Sequence, residues 1–363
     1  MNLVCLWLVC TVSPYFNTNI TYQKKRITVP KSQNPSCLND YRPISCCNTI
    51  YMCISKILAN RLKGVLPDLI DNTQSAFIRG CSIRDNILIT QELLHNYHRK
   101  NTIARCAIKV DLLKAFDSVR WEFLWDLLEC MAFPSRFIAQ LKACVTTPRF
   151  SVNLNGELVG YFNSYRGLRQ GDPLSPYLFT IVMEFLSMIL IKKTTEDPRF
   201  AFHWRCQPSK ITHLYFADDL ILFWGGSVQA VAVLNEALSV FTAHSGLQPN
   251  RSKSSVFVAG DNEVLHTTIC DLFGFAKGDM PVKYLGVPLI STRLSSADCK
   301  ILVDRMVARI QNWTSKVLSF VGRLQLIQVV LFSIQVFWFS FFPKVSSKML
   351  SRYLDDSSGR DRG

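Results

Sequence analysis

Two short apolar runs joined by a very short turn constrain the fold of this chain more than any other feature. Residues 211–216 and 220–224 are rich in bulky apolar side chains, which predicts two buried strands. Their connection is too short for anything except a hairpin, and it places Asp218 beside Asp219. Adjacent carboxylates next to a buried sheet repel each other unless a cation lies near. The alternative is a plain turn, because Asp favours turns for backbone reasons alone.

A third carboxylate, Asp111, lies at the end of another apolar run, residues 105–111, which predicts a buried strand. If this strand neighbours the hairpin in one sheet, three carboxylates meet at one edge. Such a site suits two magnesium ions that activate a hydroxyl and stabilise a leaving pyrophosphate. The alternative role for Asp111 is a cap of the turn or helix that follows it.

Between these carboxylates lies a polar loop, residues 167–176, with the sequence GLRQGDPLSP. Its glycines allow the backbone to approach a ligand closely, and Arg169 can meet a phosphate. Ser175 and Pro176 predict the cap and first turn of a helix.

The remaining periodicities predict helices alternating with strands, which is typical of an α+β domain. Helices are expected over residues 48–66 (closed by Pro67), 83–99, 121–131, 175–190 and 228–244 (ended by Gly246), and strands over 150–158, 159–165 and 255–258. The turn between the first two of these strands is predicted at Asn155-Gly156.

The net charge of +14 over 363 residues, with 48% apolar residues, predicts a globular protein with a polyanionic partner such as nucleic acid. The alternative is a basic, well-solvated surface without a partner. The thirteen cysteines show no zinc-ligand spacing, so we expect reduced, mostly buried thiols in an intracellular protein.

A secreted or membrane protein is a further alternative. It is supported by the apolar residues 1–12, two glycosylation sequons at Asn19 and Asn312, and the apolar run 329–342. That run is too short to span a bilayer, so we expect a buried helix and no stable membrane partner.

The order of the motifs carries a resemblance to a known family. Asp111 followed by Ala-Phe-Asp, then GLRQGDPLSP, then Phe-Ala-Asp-Asp resembles reverse transcriptases, and among them those of plant LINE-type (non-LTR) retrotransposons. Further similar blocks are residues 41–45, 56–62, 74–77, 245–247 and 283–289, so that the similarity extends over roughly residues 25–345.

This resemblance implies an α+β right-hand polymerase. Fingers are expected over residues 23–105, a palm of antiparallel sheet plus helices over 106–290, and a truncated helical thumb over 291–345. Residues 1–22 would be an atypical N-terminal segment, and residues 346–363 a polar tail.

The resemblance also implies the site residues. Asp111, Asp218 and Asp219 would be the catalytic carboxylates, holding two Mg²⁺ ions for which Mn²⁺ could substitute. The residues implied in dNTP binding are Phe116 (a steric gate against a ribose 2′ hydroxyl), Gln170, Gly171, Arg79 and Lys253 (beside the pyrophosphate). Those implied in primer and template binding are Arg169, Tyr284, Leu285 and Gly286. The alternatives are a core aromatic for Phe116 and a solvated loop lysine for Lys253.

The implied activity is RNA-directed DNA synthesis, a nucleotidyl transfer from dNTPs to a DNA primer on an RNA template, in the nucleus or cytoplasm. One departure stands out: Cys81 follows Gly80 where the family commonly has an arginine that grips the triphosphate. It favours the alternative of a catalytically inactive remnant that only binds nucleic acid.

Overall fold

A computed structural model of the chain describes residues 23–31, 34–37, 40–100, 103–154 and 157–292, together with 304, 306–308, 310–311, 319–331 and 334. The segments predicted at 1–22 and 346–363, the turn at 155–156 and most of the predicted thumb lie outside the described residues.

The described elements alternate between strand and helix along the chain. The strands are β1 (Gln23–Pro30), β2 (Tyr41–Cys46), β3 (Cys106–Val110), β4 (Arg149–Leu154), β5 (Glu157–Asn163), β6 (His213–Phe216), β7 (Asp219–Trp224), β8 (Ser255–Val258), β9 (Ala276–Lys277), β10 (Val282–Tyr284) and β11 (Val287–Leu289). The helices are α1 (Thr49–Leu69), α2 (Ile83–Leu94), α3 (Ala115–Ser118), α4 (Trp121–Cys130), α5 (Ser135–Thr146), α6 (Ser175–Glu196), α7 (Val228–Ser245), α8 (Glu263–Phe273) and α9 (Phe320–Leu326), which a π-helical turn follows at Ile327–Leu331.

These elements divide into two compact units, each built from several chain segments. The first comprises the described residues up to Cys81, Val110–Phe200 and Gln229–Arg251. The second comprises Ser82–Lys109, Ala201–Val228 and the described residues from Ser252 onward. Each unit takes segments from both the predicted fingers and the predicted palm, and the boundaries of those subdomains stay predictions.

The first unit holds a four-stranded sheet and most of the helices. The sheet order is β2-β1-β4-β5, with β1 antiparallel to β2 but parallel to β4. Helix α4 packs against both α5 and α6, and α1 packs against α6. The hairpin predicted over residues 150–165 is present as β4 and β5.

Helix α1 begins where the sequence predicts, because the Asn48 side chain accepts a hydrogen bond from the Tyr51 N–H. Residues Tyr51, Ile54, Leu58, Leu62 and Leu66 recur every three or four positions and are buried. The predicted end at Pro67 is wrong. The helix continues to Leu69, because proline removes one N–H donor while the Ile70 N–H still bonds to Leu66.

Helix α6 is long and apolar enough to cross a membrane by length and composition alone. In the structure, 61% of its most apolar window is buried. Packing against α1 and α4 therefore accounts for its apolar sequence. The helix begins one position earlier than predicted, because Leu174 is the cap residue and Ser175, the predicted cap, is the first helical residue.

The second unit is built on a five-stranded sheet with the order β6-β7-β3-β8-β9. The pairs β6–β7 and β3–β8 are antiparallel as predicted, whereas β9 runs parallel to β8, so the sheet is mixed. Helix α2 packs on β6 and β11, and its Ile87 and Leu94 join the core with Leu214, Phe223 and Tyr284.

Two further predictions need correction. Helix α2 ends at Leu94 and not at Arg99, because Asn96 adopts a left-handed backbone (φ 64°) and its N–H bonds to the Ser291 carbonyl. Of the ten described cysteines, only Cys106, Cys144 and Cys206 are buried. The expectation of mostly buried thiols is therefore wrong, since five of them lie on exposed faces and turns.

Candidate active site

The Asp218-Asp219 hairpin forms as predicted, in the second unit. Strands β6 and β7 pair antiparallel and end on the Phe216–Asp219 pair, so Ala217 and Asp218 make a two-residue turn. Ala217 has φ 58°, in the left-handed region that L-residues rarely adopt. Asp218 is exposed and Asp219 half-buried, while Leu220 behind them is fully buried. The turn therefore presents two carboxylates at the edge of an apolar sheet.

A second tight hairpin lies beside this turn. Strands β10 and β11 pair through Tyr284 and Val287, and Leu285 and Gly286 between them have φ 47° and 93°. The Tyr284 side chain is buried, and burial, followed by the charge of Asp219, raises the pKa of its hydroxyl above the usual range. The structure thus brings the residues predicted to hold the primer next to a predicted catalytic carboxylate.

Helix α2 joins the two hairpins through polar side chains that sequence reasoning missed. The buried Asn86 amide donates to the Tyr215 carbonyl in β6. The Gln91 side chain bonds both backbone groups of Ile290, just after β11, and accepts from its N–H at 3.2 Å. The available signal was the pair of amide side chains in a helix whose buried face also carries Ile87, Leu93 and Leu94.

Asp111 immediately follows β3, the strand that lies between β7 and β8 in the sheet. Its side chain is half-buried, and its carbonyl accepts from the Asn250 N–H at 2.7 Å. Asp111 belongs to the first unit, so its convergence with Asp218 and Asp219 stays a prediction. Over the described ranges, no three His, Cys, Asp or Glu side chains are grouped closely enough to hold a metal ion.

The loop at residues 167–176 is fixed by close backbone contacts within the first unit. The Gly167 N–H donates to the Val119 carbonyl at 2.7 Å, and the Leu168 N–H to the Phe116 carbonyl at 2.6 Å. Gly167 has φ 87°, and a Cβ there would lie 2.7 Å from the Asp117 carbonyl oxygen. Only glycine fits this position.

The other end of the loop lies against β2. The Gln170 carbonyl accepts from the Ser45 N–H at 2.8 Å, and a Cβ on Gly171 would lie 2.8 Å from the Ser45 carbonyl oxygen. Gln170 is half-buried and Gly171 exposed, so both are accessible. Their predicted role in the nucleotide pocket is not tested by this geometry and stays a prediction.

Phe116 lies beside the start of the same loop. Its half-buried ring stacks on Phe179 of α6 with centroids 4.7 Å apart. This contact fixes the ring in place, as either a steric gate or a core aromatic requires. The remaining predicted nucleotide contacts, Arg79 and Lys253, are exposed, and so is Cys81.

Arg169 does not fit its predicted contact with primer or template. Its side chain is 6% exposed and pairs with Asp172 at 3.1 Å, and its guanidinium also donates to the Cys144 and Val145 carbonyls. The Tyr51 and Phe150 rings lie 5.6 Å from the guanidinium carbon. An arginine enclosed in this way holds the loop to its own unit and has no face left for a phosphate.

Asp172 is a further residue that sequence reasoning missed. Its carboxylate is buried and accepts hydrogen bonds from the Tyr51 and Ser55 hydroxyls and from the Leu174 N–H. The signal in the sequence for this ion pair was the presence of opposite charges, Arg169 and Asp172, three positions apart within a Gly-rich and Pro-rich loop.

A model of the family described as "Reverse transcriptase (RNA-dependent DNA polymerase)" matches residues 29–289. The chain is 29% identical over 304 residues to the transposon TX1 uncharacterized 149 kDa protein of Xenopus laevis, covering 81% of the chain and 22% of that protein. It is 27% identical over 279 residues to the Pol polyprotein from the type-2 retrotransposable element R2DM of Drosophila melanogaster, covering 74% of the chain and 25% of that protein. The chain therefore spans about a quarter or less of these relatives.

Solved structures support the same fold. A telomerase from Candida tropicalis, in complex with a fragment of telomeric RNA, superposes with a TM-score of 0.52 at 13% identity, covering 98% of the chain and 59% of that protein. A telomerase from Candida albicans gives a TM-score of 0.51 at 12% identity, over 76% of the chain and 45% of that protein. The predicted α+β right-hand polymerase fold is confirmed.

Proposed function

This chain belongs to the reverse transcriptase (RNA-dependent DNA polymerase) family, as the LINE-type resemblance predicted, and we propose that it adds dNTPs to a DNA primer on an RNA template. The observation that carries the proposal is the hairpin turn bearing Asp218 and Asp219 within the matched residues 29–289. We further propose that this synthesis takes place inside the cell, in the nucleus or cytoplasm.

The family uses divalent metal ions, and the donor atoms of this chain suit them. Asp111, Asp218 and Asp219 offer only carboxylate oxygens, the hard ligands that Mg²⁺ and Mn²⁺ prefer. We propose that these three residues hold two Mg²⁺ ions. When bound, the ions would activate the primer 3′ hydroxyl and neutralise charge on the leaving pyrophosphate.

The protein's own contribution is to keep this edge of the sheet fixed. Asn86 and Gln91 join the β6–β7 and β10–β11 hairpins to one helix, so Asp218 and Asp219 keep a constant spacing from the proposed primer-holding turn at Leu285 and Gly286. Preorganisation of this kind lowers the cost of ordering the reactants before the chemical step.

The nucleotide is proposed to lie against Phe116, Gln170 and Gly171, with Arg79 and Lys253 reaching its phosphates. The exposed positions of Arg79 and Lys253 support this role, since both ammonium and guanidinium groups are free to meet solvent. Cys81 supplies no cation, which favours the second candidate function, a remnant that binds nucleic acid without synthesis.

Primer extension decides between the two functions. Purified protein is incubated with an RNA template, a labelled DNA primer, dNTPs and Mg²⁺, beside Asp218→Asn/Asp219→Asn and the matched control Asp126→Asn, an exposed acid on α4. The proposal predicts extension by the wild type and the control, and none by the double variant. A folded wild-type protein that binds primer–template but does not extend it would establish the remnant instead.

A further inference from the structure

The buried contacts around Asp172 connect helix α1 to the loop that carries Gln170 and Gly171. We infer that Tyr51 and Asp172 are positioning residues, which hold this loop in the shape that the incoming nucleotide requires. The inference rests on the proposed function, because it concerns the same nucleotide site.

All of the hydrogen-bonding capacity of the Asp172 carboxylate is used inside the protein. Its Oδ2 accepts from the Tyr51 hydroxyl and from Arg169 at 3.1 Å. Its Oδ1 accepts from the Ser55 hydroxyl and from the Leu174 N–H at 3.0 Å. With a side chain only 3% exposed, the carboxylate depends on these donors for its stability.

Two of these donors come from a different part of the chain. Tyr51 and Ser55 lie one turn apart on α1, 121 and 117 residues before Asp172. The Tyr51 hydroxyl also accepts from Arg169 at 2.6 Å, so it links both charges of the buried pair. Without the α1 hydroxyls, the loop would keep the Arg169–Asp172 ion pair but would lose the donors that fix the orientation of the Asp172 carboxylate.

The accessible residues of the loop lie next to this buried ion pair. Gln170 and Gly171 stand between Arg169 and Asp172, so both of their neighbours in the chain are fixed. The Ser45 N–H fixes the Gln170 carbonyl from outside the loop. A loosened Asp172 would therefore change the backbone that the nucleotide is proposed to contact, while the residues of the hairpin turn at Asp218 stay unaltered.

Tyr51→Phe tests this inference with a minimal change, since it removes one hydroxyl and keeps the ring. We expect the dNTP KM to rise on the order of tenfold, because hydrogen bonds to charged groups are among the stronger ones. The kcat and the primer–template affinity should stay within about twofold of wild type. A role in global stability alone would lower the active fraction and thus kcat, without raising KM.

The matched control is Tyr97→Phe, which removes the hydroxyl of another buried tyrosine. That hydroxyl has no hydrogen-bond partner among the described residues, so its loss should leave the dNTP KM unchanged. Should Tyr51→Phe fail to fold, Ser55→Ala removes the other hydroxyl donor and is expected to raise KM in the same way.

Hydrogen exchange provides a readout that needs no activity. The Arg169 N–H bonds to the Ser175 hydroxyl and the Leu174 N–H to Asp172, so both amides report on the loop. Tyr51→Phe should speed their exchange on the order of tenfold relative to wild type. An unchanged dNTP KM, or unchanged exchange of these amides, would overturn the inference. If the wild type shows no primer extension, the proposed function fails. Faster amide exchange confined to this loop in Tyr51→Phe would still support Tyr51 as the residue that holds the loop.

Discussion

Replacing Glu184 by glutamine should change how the stability of the chain depends on pH. Glu184 lies on α6 with 6% of its surface exposed, and its carboxylate accepts from the Asp71 N–H at 3.1 Å. Burial, and secondarily the charge of Asp71, raises the pKa of this carboxyl to about 7. The folded protein therefore binds a proton at Glu184 more tightly than the unfolded chain does.

The sign of the effect follows from this raised pKa. The contribution of Glu184 to stability is fully present below about pH 4.5 and is lost as the pH rises through about 7. The difference of about 2.5 pKa units corresponds to roughly 3 kcal/mol, as an upper limit. Glu184→Gln keeps the shape and an acceptor for Asp71, and it does not ionise. It should therefore become more stable than wild type as the pH increases.

Urea unfolding of both proteins at pH 5, 6, 7 and 8 measures this difference directly. The stability advantage of Glu184→Gln should grow from about 1 kcal/mol at pH 5 to about 3 kcal/mol at pH 8. Groups that do not interact with Glu184 titrate alike in the two proteins, so the difference reports on Glu184 and its interaction with Asp71. Glu129→Gln, at an exposed position on α4, is the control and should show a constant difference. A difference for Glu184→Gln that does not change over this pH range would contradict a raised pKa of the Glu184 carboxyl.

Three further changes have defined outcomes. Asp172→Ala should lower the free energy of unfolding by about 3–5 kcal/mol, because it leaves the buried Arg169 unpaired; a loss below about 1 kcal/mol in urea unfolding would contradict the buried pair. Ala217→Gly should stabilise the chain by about 0.5–1 kcal/mol, since glycine adopts φ 58° without a Cβ clash; thermal unfolding that shows a lower Tm would argue against this turn geometry. Phe116→Ala should increase incorporation of ribonucleotides relative to dNTPs in primer extension, and an unchanged ratio would indicate that the ring is only a core aromatic stacked on Phe179.

Local features of the fold could be predicted from the sequence. The β6–β7 hairpin and the end of α7 at Gly246 depend on neighbouring residues, namely apolar runs around a short turn and a glycine with φ 78°. Strand β8 also has the predicted bounds, because it is determined by its own short run of apolar residues. Each of these elements is determined within about ten residues of chain.

Features that depend on distant residues could not be predicted. Helix α2 ends early because Asn96 bonds to Ser291, almost two hundred positions away. The environment of Arg169 also depends on distant residues. In the sequence its neighbours are rich in glycine, which indicated a contact with phosphate. Only folding brings its hydrogen-bond partners Tyr51, Cys144 and Val145 close to it. These partners enclose the guanidinium, so the residue predicted to bind a ligand is a buried structural residue.

We propose that this chain copies RNA into DNA at the Asp218-Asp219 turn. The most direct measurement is the sequence of primers extended by the purified protein on an RNA template of mixed sequence. We expect products complementary to the template with the wild type, and unextended primer with Asp218→Asn/Asp219→Asn. Template-complementary products that persist in the double variant, or a folded wild type that leaves every primer unextended, would contradict it.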